Sequence, residues 1–304
     1  MIICAGEALI DMLPRKVGAD TAFLPVAGGS VFNTAIALGR LGADVGMSTG
    51  LSRDLFGEML LSGLVASGVD ATEVLFFDRP TTLAFVTLVD GQARYAFYDE
   101  NTAGRMLLPD DMPDLPDAAQ ALFVGGISLA VEPCAAAYEA LVARAGDRVV
   151  MLDPNVRPDF VADEAVFRAR MDRLVARADI VKVSDEDLEW ITGSRDVQSG
   201  ATDLLVRGVK VVLVTEGADG ARAITGRGEV RVPGRKAEVV DTVGAGDTFN
   251  AGFLAALERA ALLSRDAIAD LNEAHLRDAL ELGAQAAAIT VSRAGANPPW
   301  EDEL

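Results

Sequence analysis

Short apolar runs alternate with helical segments along most of this 304-residue chain, and this alternation limits the folds that it can adopt. Strands separated by helices pair in parallel, and a parallel sheet needs helices on both faces to bury it. The sequence therefore predicts a three-layer α/β/α domain with a mainly parallel sheet. The predicted strands are residues 2–10, 45–49, 121–124, 149–152, 180–183 and 211–214. The predicted helices are residues 33–41, 56–67, 132–145, 164–176 and 201–206.

Two segments depart from this alternation. Residues 81–98 read as two alternating strands around Asp90-Gly91, a dipeptide typical of a tight hairpin turn. An extended segment interrupted by proline and glycine precedes the first helix. We expect the two to pair as a small β lid, with an edge hairpin as the alternative. This division assigns residues 13–26 and 79–98 to the lid and residues 1–12, 27–78 and 99–304 to the large domain. Residues 107–116 are predicted to form a loop.

The charge balance restricts the partners of the chain. Its 46 acidic residues exceed its 27 lysines and arginines, which gives a net charge of −19 with no offsetting basic block. We therefore expect neither nucleic-acid binding nor docking to an anionic membrane. Two cysteines cannot form a disulfide framework or a zinc site of their own, and no apolar run reaches membrane-spanning length. The sequence predicts a cytoplasmic enzyme.

Residues 241–249 read Asp-Thr-Val-Gly-Ala-Gly-Asp-Thr-Phe and carry the most specific chemistry. The small residues Gly244, Ala245 and Gly246 let backbone N–H groups turn toward one point, where a helix start adds partial positive charge. Such a place binds phosphate. Asp247 would repel a phosphate in a simple cradle, but phosphoryl transfer needs a carboxylate that accepts the proton of the attacking hydroxyl. The helix start is expected to keep Asp247 ionised. A Walker loop is absent from the sequence, and the dinucleotide pattern lacks its third glycine.

Polar residues also follow several predicted strands. Ligands of open α/β sheets bind beyond the carboxyl ends of the strands, so several polar ends at one edge favour a site, although each alone is an ordinary helix cap. These ends are Asp11, residues 153–157, Lys182 with residues 184–187, and residues 215–217. Gly28-Gly29 comes before another helix that carries Asn33. A glycine pair and an amide suit a polyhydroxyl substrate, and a tight turn is the alternative.

Two of these motifs together point to a family. The stretch from Gly28-Gly29 to Gly42 and residues 241–249 resemble the paired signatures of the ribokinase-like (PfkB) carbohydrate kinases. Their order and wide separation match, and the resemblance covers essentially the whole chain. Residues 6–11, 82–86 and 153–158 look most like those of bacterial fructokinases.

The resemblance implies a ribokinase-like fold and an ATP-dependent sugar kinase that uses Mg²⁺. It implies transfer of the γ-phosphoryl group to a primary hydroxyl of a ketohexose, with fructose as the leading acceptor. A 2-keto-3-deoxygluconate kinase, another ketohexose kinase such as one for tagatose, and a nucleoside kinase are the alternatives. A sugar sensor on the same scaffold would lack the base Asp247, and reduction of a nicotinamide cofactor is a more distant reading. Apolar lid strands further imply a homodimer through the lid.

Position by position, the resemblance implies roles for individual residues. Asp247 matches the catalytic base, and the N–H groups of Gly244, Ala245, Gly246 and Asp247 match the anion hole. The implied sugar-binding residues are Asp11, Gly28, Gly29 and Asn33, with Asn155 and Arg157 between the sugar and the phosphates. The implied nucleotide-binding residues are Lys182, Thr215, Gly217, Gly220, Gly246, Ala287 and Asn297. The implied ion-binding residues are Asp187 for Mg²⁺ through water, and Asp241, Val243 and Gly295 for K⁺.

The sequence departs from ribokinases at four of the matched positions. Leu9 and Ser30 replace the asparagine and lysine that ribokinases carry, which argues against ribose as the acceptor. Asp187 stands in place of the more usual glutamate, and Pro299 falls where ribokinases offer a serine to the monovalent-cation loop. The identity of the sugar and the ion geometry therefore depend on the structure.

Overall fold

The computed structural model describes residues 1–89 and 92–304, with side chains described except at residues 87–89, 92–95 and 159. The predicted turn at Asp90-Gly91 lies outside the described residues. The strands are β1 (Ile2–Ala5), β2 (Leu9–Val17), β3 (Asp20–Gly28), β4 (Val45–Ser52), β5 (Val74–Phe77), β6 (Leu83–Val89), β7 (Gln92–Tyr98), β8 (Ala121–Gly125), β9 (Val149–Asp153), β10 (Ile180–Ser184), β11 (Val211–Thr215), β12 (Ala221–Thr225) and β13 (Gly228–Val232). The helices are α1 (Ser30–Arg40), α2 (Leu55–Ala66), α3 (Cys134–Ala143), α4 (Glu164–Arg177), α5 (Asp185–Thr192), α6 (Val197–Val206), α7 (Ala245–Arg259), α8 (Arg265–Ala269) and α9 (Glu273–Val291).

Nine of these strands form one large sheet in the order β13-β12-β11-β10-β9-β8-β1-β4-β5. The pairs from β11 through β5 are parallel, and β12 and β13 extend one edge as antiparallel strands. The parallel strands bring their carboxyl ends to one edge. Polar residues that follow different strands therefore meet there.

Helices cover both faces of this sheet, as the alternation of strands and helices predicts. Along β1, Ile2 and Cys4 pack into one apolar core with residues of α1, α2, α7, α8 and α9. Ile3 and Ala5 point the other way, into a second core with residues of α3, α4, α5 and α6. Because strand side chains alternate between faces, one short strand contributes to both cores. The three-layer α/β/α prediction is confirmed.

A second sheet of four strands, in the order β3-β2-β6-β7, lies outside the large one. It joins residues 9–28 to residues 83–98, because β2 pairs in parallel with β6 from Ile10 opposite Leu83 to Met12 opposite Phe85. The prediction that the two exceptional segments leave the main sheet and pair with each other is confirmed. The predicted loop at residues 107–116 also contains no helix or strand.

The single strand predicted over residues 2–10 is wrong. The chain leaves the large sheet after Ala5 and enters the small sheet at Leu9. Gly6 lies at this break, where a Cβ atom would come within 2.4 Å of Val31 Cγ2. Asp11 consequently does not follow a strand of the large sheet: it lies within β2, opposite Val26. Residues 9–12 and 27–28, assigned above to the large domain, lie in strands of the small sheet.

Across residues 1–89 and 92–304, none of the helices combines the length and the apolar character that a membrane span needs.

Candidate active site

A cavity of about 1250 Å³ lies between the small sheet and the carboxyl ends of β8 and β9. The small sheet contributes Leu9, Asp11 and Phe97, and the starts of α1 and α7 contribute Ser30 and Gly246. Of the predicted site residues, it brings together Asp11, Gly29, Asn33, Asn155, Arg157, Lys182, Val243, Gly244, Gly246 and Asp247. The motifs that are far apart in the sequence therefore meet in one cavity.

Asp247 lies in the first turn of α7, and local backbone geometry places it there. The helix begins after Gly244, whose φ of 78° suits glycine, and a Cβ atom on Gly244 would lie 2.6 Å from Ala296 Cβ. Ala245 and Gly246 follow in the first turn, where helix N–H groups have no intrahelical acceptor. The N–H of Ala245 donates to Thr242 O at 3.4 Å, and Gly246 lies beside the carboxylate. The buried Asp247 Oδ2 accepts a hydrogen bond of 2.9 Å from Asn33 Nδ2.

Burial controls the protonation of Asp247. It raises the pKa of this carboxyl to about 6, against the hydrogen bond from Asn33, which lowers it; Asp153 adds to the rise and Lys182 opposes it. The expectation that the helix start determines the charge of Asp247 is therefore incomplete, because desolvation is the largest effect. A pKa near 6 leaves Asp247 ionised at neutral pH but still basic enough to accept a proton.

The predicted acceptor residues lie around Asp247. Asp11 lines the cavity, and burial followed by repulsion from Asp247 raises its pKa to about 6. Gly28 is not among the described residues that line the cavity, but it lies against Asp11: a Cβ atom on Gly28 would come within 2.4 Å of Asp11 Oδ2. Gly29, with a φ of 108°, precedes α1 and lines the cavity beside Asn33. Carboxylate, amide and bare backbone are together suited to a polyhydroxyl ligand.

Lys182 is a buried cation that lines the cavity next to the first turn of α7. Its Nζ donates a 3.0 Å hydrogen bond to Asp153 Oδ2 and lies 3.0 Å from where a Cβ atom on Gly246 would be. Burial opposes the charge, but attraction to Asp153 outweighs it, so the pKa of Lys182 is raised. Asn250 Nδ2 donates to the same Asp153 oxygen at 2.7 Å. A positive charge thus lies beside the first turn of α7.

Asn250 is not among the predicted site residues, and Asp153 is predicted only as one of the polar residues that follow a strand, without a role of its own. Asp153 is fully buried and joins Lys182 to α7, and its Oδ1 has no hydrogen-bond partner among the described residues. Its position in the Asp153-Pro154-Asn155 run, directly after an apolar strand, is the signal that could have identified it. Asn250 follows Asp247 by three residues and therefore shares its helix face.

Asn155 and Arg157 lie on the loop that follows β9 and line the cavity. Asn155 has a φ of 43°, and the exposed Arg157 donates from Nη1 to the carbonyl of Val156 at 3.0 Å. Nη1 also donates to Asn155 O at 3.4 Å, so the guanidinium is held against its own loop. Both residues line the same cavity as Asp247, and their place between the sugar and the phosphates stays a prediction.

Most of the predicted nucleotide-binding residues lie outside this cavity. Thr215, at the end of β11, donates to Val183 O at 3.4 Å, and Gly217 and Gly220 turn the chain from β11 into β12. Asn297 Oδ1 accepts from Arg40 Nη1 at 2.8 Å. The predicted nucleotide-binding residues that are not part of the described cavity lining are Thr215, Gly217, Gly220, Ala287 and Asn297. Ala245, predicted for the anion hole, is also not part of that lining. The cavity therefore corresponds to the acceptor and phosphate end of the predicted site.

Asp187 does not form a ready-made metal site. Its Oδ1 accepts from the backbone N–H of Val156 at 3.0 Å, and its Oδ2 accepts from that of Ser184 at 3.4 Å in a capping box at the start of α5. Burial and repulsion from Asp153 raise its pKa. In the part of the chain that the structure describes, no group of three or more His, Cys, Asp or Glu side chains could hold a metal ion. The residues present do not fit an all-protein Mg²⁺ cage.

Asp241, Val243 and Gly295, predicted together for K⁺, lie together in the structure. Asp241 Oδ1 accepts from the N–H of Val243 at 3.1 Å, and its Oδ2 accepts from that of Gly295 at 2.9 Å. Both carboxylate oxygens of Asp241 are thus engaged with the backbone. A cation here would depend on carbonyl oxygens.

Glu7 and two arginines line the cavity without having been predicted. Burial raises the pKa of Glu7 to about 7, although hydrogen bonds to the carboxylate lower it. Arg105 Nη1 donates to Asp99 Oδ1 at 2.9 Å, and the buried Arg170 pairs with Glu132 and Glu139. These groups come from loops and helices that fold from distant parts of the sequence, so no local pattern marks them as site residues.

Comparison with known proteins agrees with this geometry. A family model described as pfkB family carbohydrate kinase matches residues 1–303. The chain belongs to the pfkB family of carbohydrate kinases. The predicted family and enzyme class are thereby confirmed.

Individual members of the pfkB family are similar over nearly the full length. The fructokinase of Rhizobium leguminosarum bv. trifolii is 51% identical over 280 residues, which cover 91% of this chain and 86% of that protein. The structure of a fructokinase from Xylella fastidiosa with bound ATP has a TM-score of 0.88 and 28% identity, over 97% of this chain and 93% of that one. A fructokinase double mutant from Vibrio cholerae O395 in fructose, ADP and potassium ion bound form has a TM-score of 0.85 and 27% identity, over the same shares. The ribokinase-like fold is confirmed.

Proposed function

We propose that this chain transfers the γ-phosphoryl group of ATP to a primary hydroxyl of a ketohexose, with fructose as the acceptor. The observation that carries the proposal is the position of Asp247. It is buried at the start of α7, held by Asn33, and adjoins the small residues Gly244 and Gly246 in the same cavity. The similarity to fructokinases, at up to 51% identity among the relatives compared, supports fructose as the acceptor.

Several residues each have one role in the proposed reaction. Asp247 accepts the proton of the sugar hydroxyl, and the hydroxyl oxygen forms a bond to the γ-phosphorus. At the same time the bond between that phosphorus and the β–γ bridging oxygen breaks, and ADP leaves. The N–H groups of Gly244, Ala245 and Gly246 and the Lys182 ammonium stabilise the charge on the transferring group. Arg157 contributes a further positive charge, which a chain with a net charge of −19 needs near ATP.

The charges of the cavity favour a neutral acceptor over a sugar acid. Among the described lining residues, carboxylates outnumber cations six to four. Arg105 and Arg170, which could otherwise bind a carboxylate, are already paired with acidic side chains. A keto-deoxy acid would have to compete with these pairs and would be repelled by Asp11 and Asp247. The charges of the cavity therefore favour fructose over 2-keto-3-deoxygluconate.

The nucleotide and the ions complete the proposal. We assign the nucleotide to the turn with Thr215, Gly217 and Gly220 and to the region of Ala287 and Asn297, because the carbohydrate-kinase resemblance places it there. Mg²⁺ would be bound by the phosphates and water, with Asp187 acting through water, and would neutralise phosphate charge during transfer. The potassium-bound neighbour and the loop pairing through Asp241 support a K⁺ site built from carbonyls near Val243 and Gly295. Turnover rates measured in potassium salts and in tetramethylammonium salts test whether the enzyme uses K⁺.

The arrangement of the whole molecule is also proposed. The small sheet would act as a lid over the sugar, because it supplies Leu9, Asp11 and Phe97 to the cavity. Apolar side chains exposed on this sheet support a homodimer through the lid. The use of ATP supports a cytoplasmic location.

The decisive experiment is an ADP-release screen over ketoses, aldoses, keto-deoxy acids and nucleosides. We expect the highest kcat/KM with fructose and a product phosphorylated on a primary carbon by ³¹P NMR. Asp247→Asn keeps the size and the contact with Asn33 but cannot accept the proton, so kcat should fall about 10²–10⁴-fold. Equal turnover by Asp247→Asn would exclude the assigned base. Preferred turnover of 2-keto-3-deoxygluconate or of nucleosides would exclude fructose.

A further inference from the structure

Glu7 lies where the chain passes from the large sheet to the small one, between β1 and β2. Its Oε1 accepts a hydrogen bond of 3.0 Å from the N–H of Ser30, and its Oε2 accepts one of 3.2 Å from the N–H of Ser128. Its own carbonyl accepts from the N–H of Phe32 at 3.2 Å. One residue therefore bonds two segments that are about a hundred positions apart in the sequence.

Two glycines leave room for this residue. A Cβ atom on Gly126 would lie 2.1 Å from Glu7 Oε1, and one on Gly29 would lie 2.8 Å from the Glu7 carbonyl oxygen. Both glycines have positive φ values, 68° and 108°, which other residues rarely adopt. The backbone on both sides is thus shaped around the Glu7 position.

Both bonded segments contribute residues to the lining of the cavity. Ser30 is the first residue of α1, and one turn later Asn33 donates to Asp247 Oδ2 at 2.9 Å. Ser128 lies in the short turn Ile127–Leu129 that follows β8, and Ile127 lines the cavity. Fixing Ser30 relative to Ser128 therefore fixes these two parts of the cavity lining relative to each other, and with them the first turn that presents Asn33.

The carboxylate of Glu7 is occupied in a way that excludes it as a second base. Each of its oxygens already accepts from a backbone N–H, whereas Asp247 has Oδ2 bonded to Asn33 and lies beside the anion-binding turn of α7. A group that accepts the hydroxyl proton needs an oxygen free to face the substrate. The hydrogen bonds of Glu7 instead hold the backbone of Ser30 and Ser128 in place.

We propose that Glu7 is a positioning residue for the acceptor: its carboxylate bonds the first turn of α1 to the loop after β8 and so holds the cavity in the shape that binds the sugar. This inference rests on the proposed sugar kinase activity, because it assigns the residue a role in acceptor binding. It predicts an effect on the KM for the sugar and not on the chemical step.

The test compares Glu7→Gln, Glu7→Asp and Gly126→Ala with wild type in the full-length chain. Glu7→Gln keeps the length but turns an NH₂ group toward one of the two N–H donors. Glu7→Asp keeps the charge but is one methylene too short to reach both donors. Gly126→Ala would displace the carboxylate from both donors, because a Cβ atom there would lie 2.1 Å from Oε1 and 2.7 Å from Oε2. In all three we expect the KM for fructose to rise about tenfold, with kcat within about threefold of wild type and the KM for ATP unchanged.

Glu58→Gln is the matched control, because Glu58 is an exposed glutamate in the first turn of α2. It should leave every kinetic constant unchanged. Two results would overturn the proposal: Glu7→Asp with a wild-type KM, which would show that reach does not matter, or a loss of kcat at constant KM, which would place Glu7 in the chemical step.

Hydrogen exchange measured without sugar tests the same bonds independently of the acceptor. We expect faster exchange of the amides of Ser30 and Ser128 in Glu7→Gln, with unchanged exchange in α2. Unchanged exchange at both amides would also overturn the proposal. If the wild type fails to phosphorylate fructose, the proposed function fails, while the exchange result still decides whether Glu7 holds these two segments.

Discussion

Asp247 shows how one buried carboxyl can be adjusted by its neighbours. Removal from water raises its pKa to about 6, and the hydrogen bond from Asn33 limits that rise because it favours the ionised form. A base must be ionised before it can accept a proton. The acidic limb of kcat/KM should therefore lie near pH 6, with activity lost as the pH falls through that value.

Asn33→Leu tests this relation. Without the donated hydrogen bond the ionised form of Asp247 loses a stabilising contact, so its pKa should rise and the acidic limb should move to higher pH, by about one pH unit. The measurement is the pH profile of kcat/KM. The result is read from the pH at which activity falls to half its maximum, and not from the maximum itself. Asn272→Ala, which alters an exposed helix cap, serves as control and should leave the profile in place.

Asp11 could produce the same limb, since burial also raises its pKa to about 6. Asn33 bonds to Asp247, so only a limb that belongs to Asp247 should move in Asn33→Leu. A limb that stays near pH 6 in this variant would assign it to another group and contradict the role given to the hydrogen bond.

The sequence predicts the residues that act through local pattern, and it misses those that act through folding. Asp247 was identifiable because three small residues precede it within one short run. The roles of Asp153 and Glu7 are not predicted, because they depend on contacts with Lys182, Ser30 and Ser128 that form only in the folded chain. Even for Asp247 the pattern suggested the helix start as the source of its charge state, whereas burial has the larger effect.

At the scale of elements, the same limit appears in β1 and β2. Residues 2–10 are almost continuously apolar, which suits one buried strand, and the structure divides them between two sheets. Only Gly6 and Glu7 interrupt the apolar run at the break, and it resumes at once with Ala8, Leu9 and Ile10, which are also buried. The break depends on Gly6 and its close approach to Val31, a contact that a local pattern does not contain.

A buried ionic centre connects three elements far from the cavity. Asp179, at the start of β10, accepts from Arg265 Nε at 2.9 Å and from Arg177 Nη1 at 3.3 Å. It also accepts from the N–H of Val150 in β9 at 3.0 Å, and it is almost completely buried. These bonds attach α4 and α8 to the large sheet.

Asp179→Ala should destabilise the fold without changing the chemistry. The substitution leaves two arginines and a buried N–H without their acceptor, so the free energy of unfolding should fall by on the order of 3 kcal/mol. Urea denaturation measures this loss, and kcat/KM should stay near the wild-type value because Asp179 does not belong to the described cavity lining.

Asp172→Ala is the matched control. It removes the acceptor of a surface pair with Arg207, in which the Asp172 side chain is 68% exposed. Exposed pairs contribute little, so the loss should stay below about 1 kcal/mol. An equal loss of unfolding free energy in the two variants would show that the buried centre stabilises the fold no more than a surface pair does.

At the scale of the whole molecule, the small sheet has two faces with different surroundings. One face supplies Leu9, Asp11 and Phe97 to the cavity. The other carries an aromatic patch of Phe23, Phe85 and Tyr98, whose rings contact edge to face at 5.0 and 5.4 Å. Phe23 is 38% and Tyr98 63% exposed, so the patch faces outward from the chain. Exposed contiguous apolar surface is typical of an interface.

The homodimer proposed above predicts that this aromatic patch is covered by a second copy of the chain. Phe23→Asp would place a charge in the interface, which costs far more when buried than when exposed, so the variant should run at the mass of one chain where wild type runs at twice that mass. Light scattering after size exclusion, over a dilution series, measures the difference. Val206→Asp, at a valine that is 82% exposed on α6, is the control and should keep the wild-type mass. Because the same sheet also borders the cavity, loss of the dimer should raise the KM for the sugar as well. A wild-type mass of one chain at every dilution would reject the dimer and leave the aromatic patch as part of the lid alone.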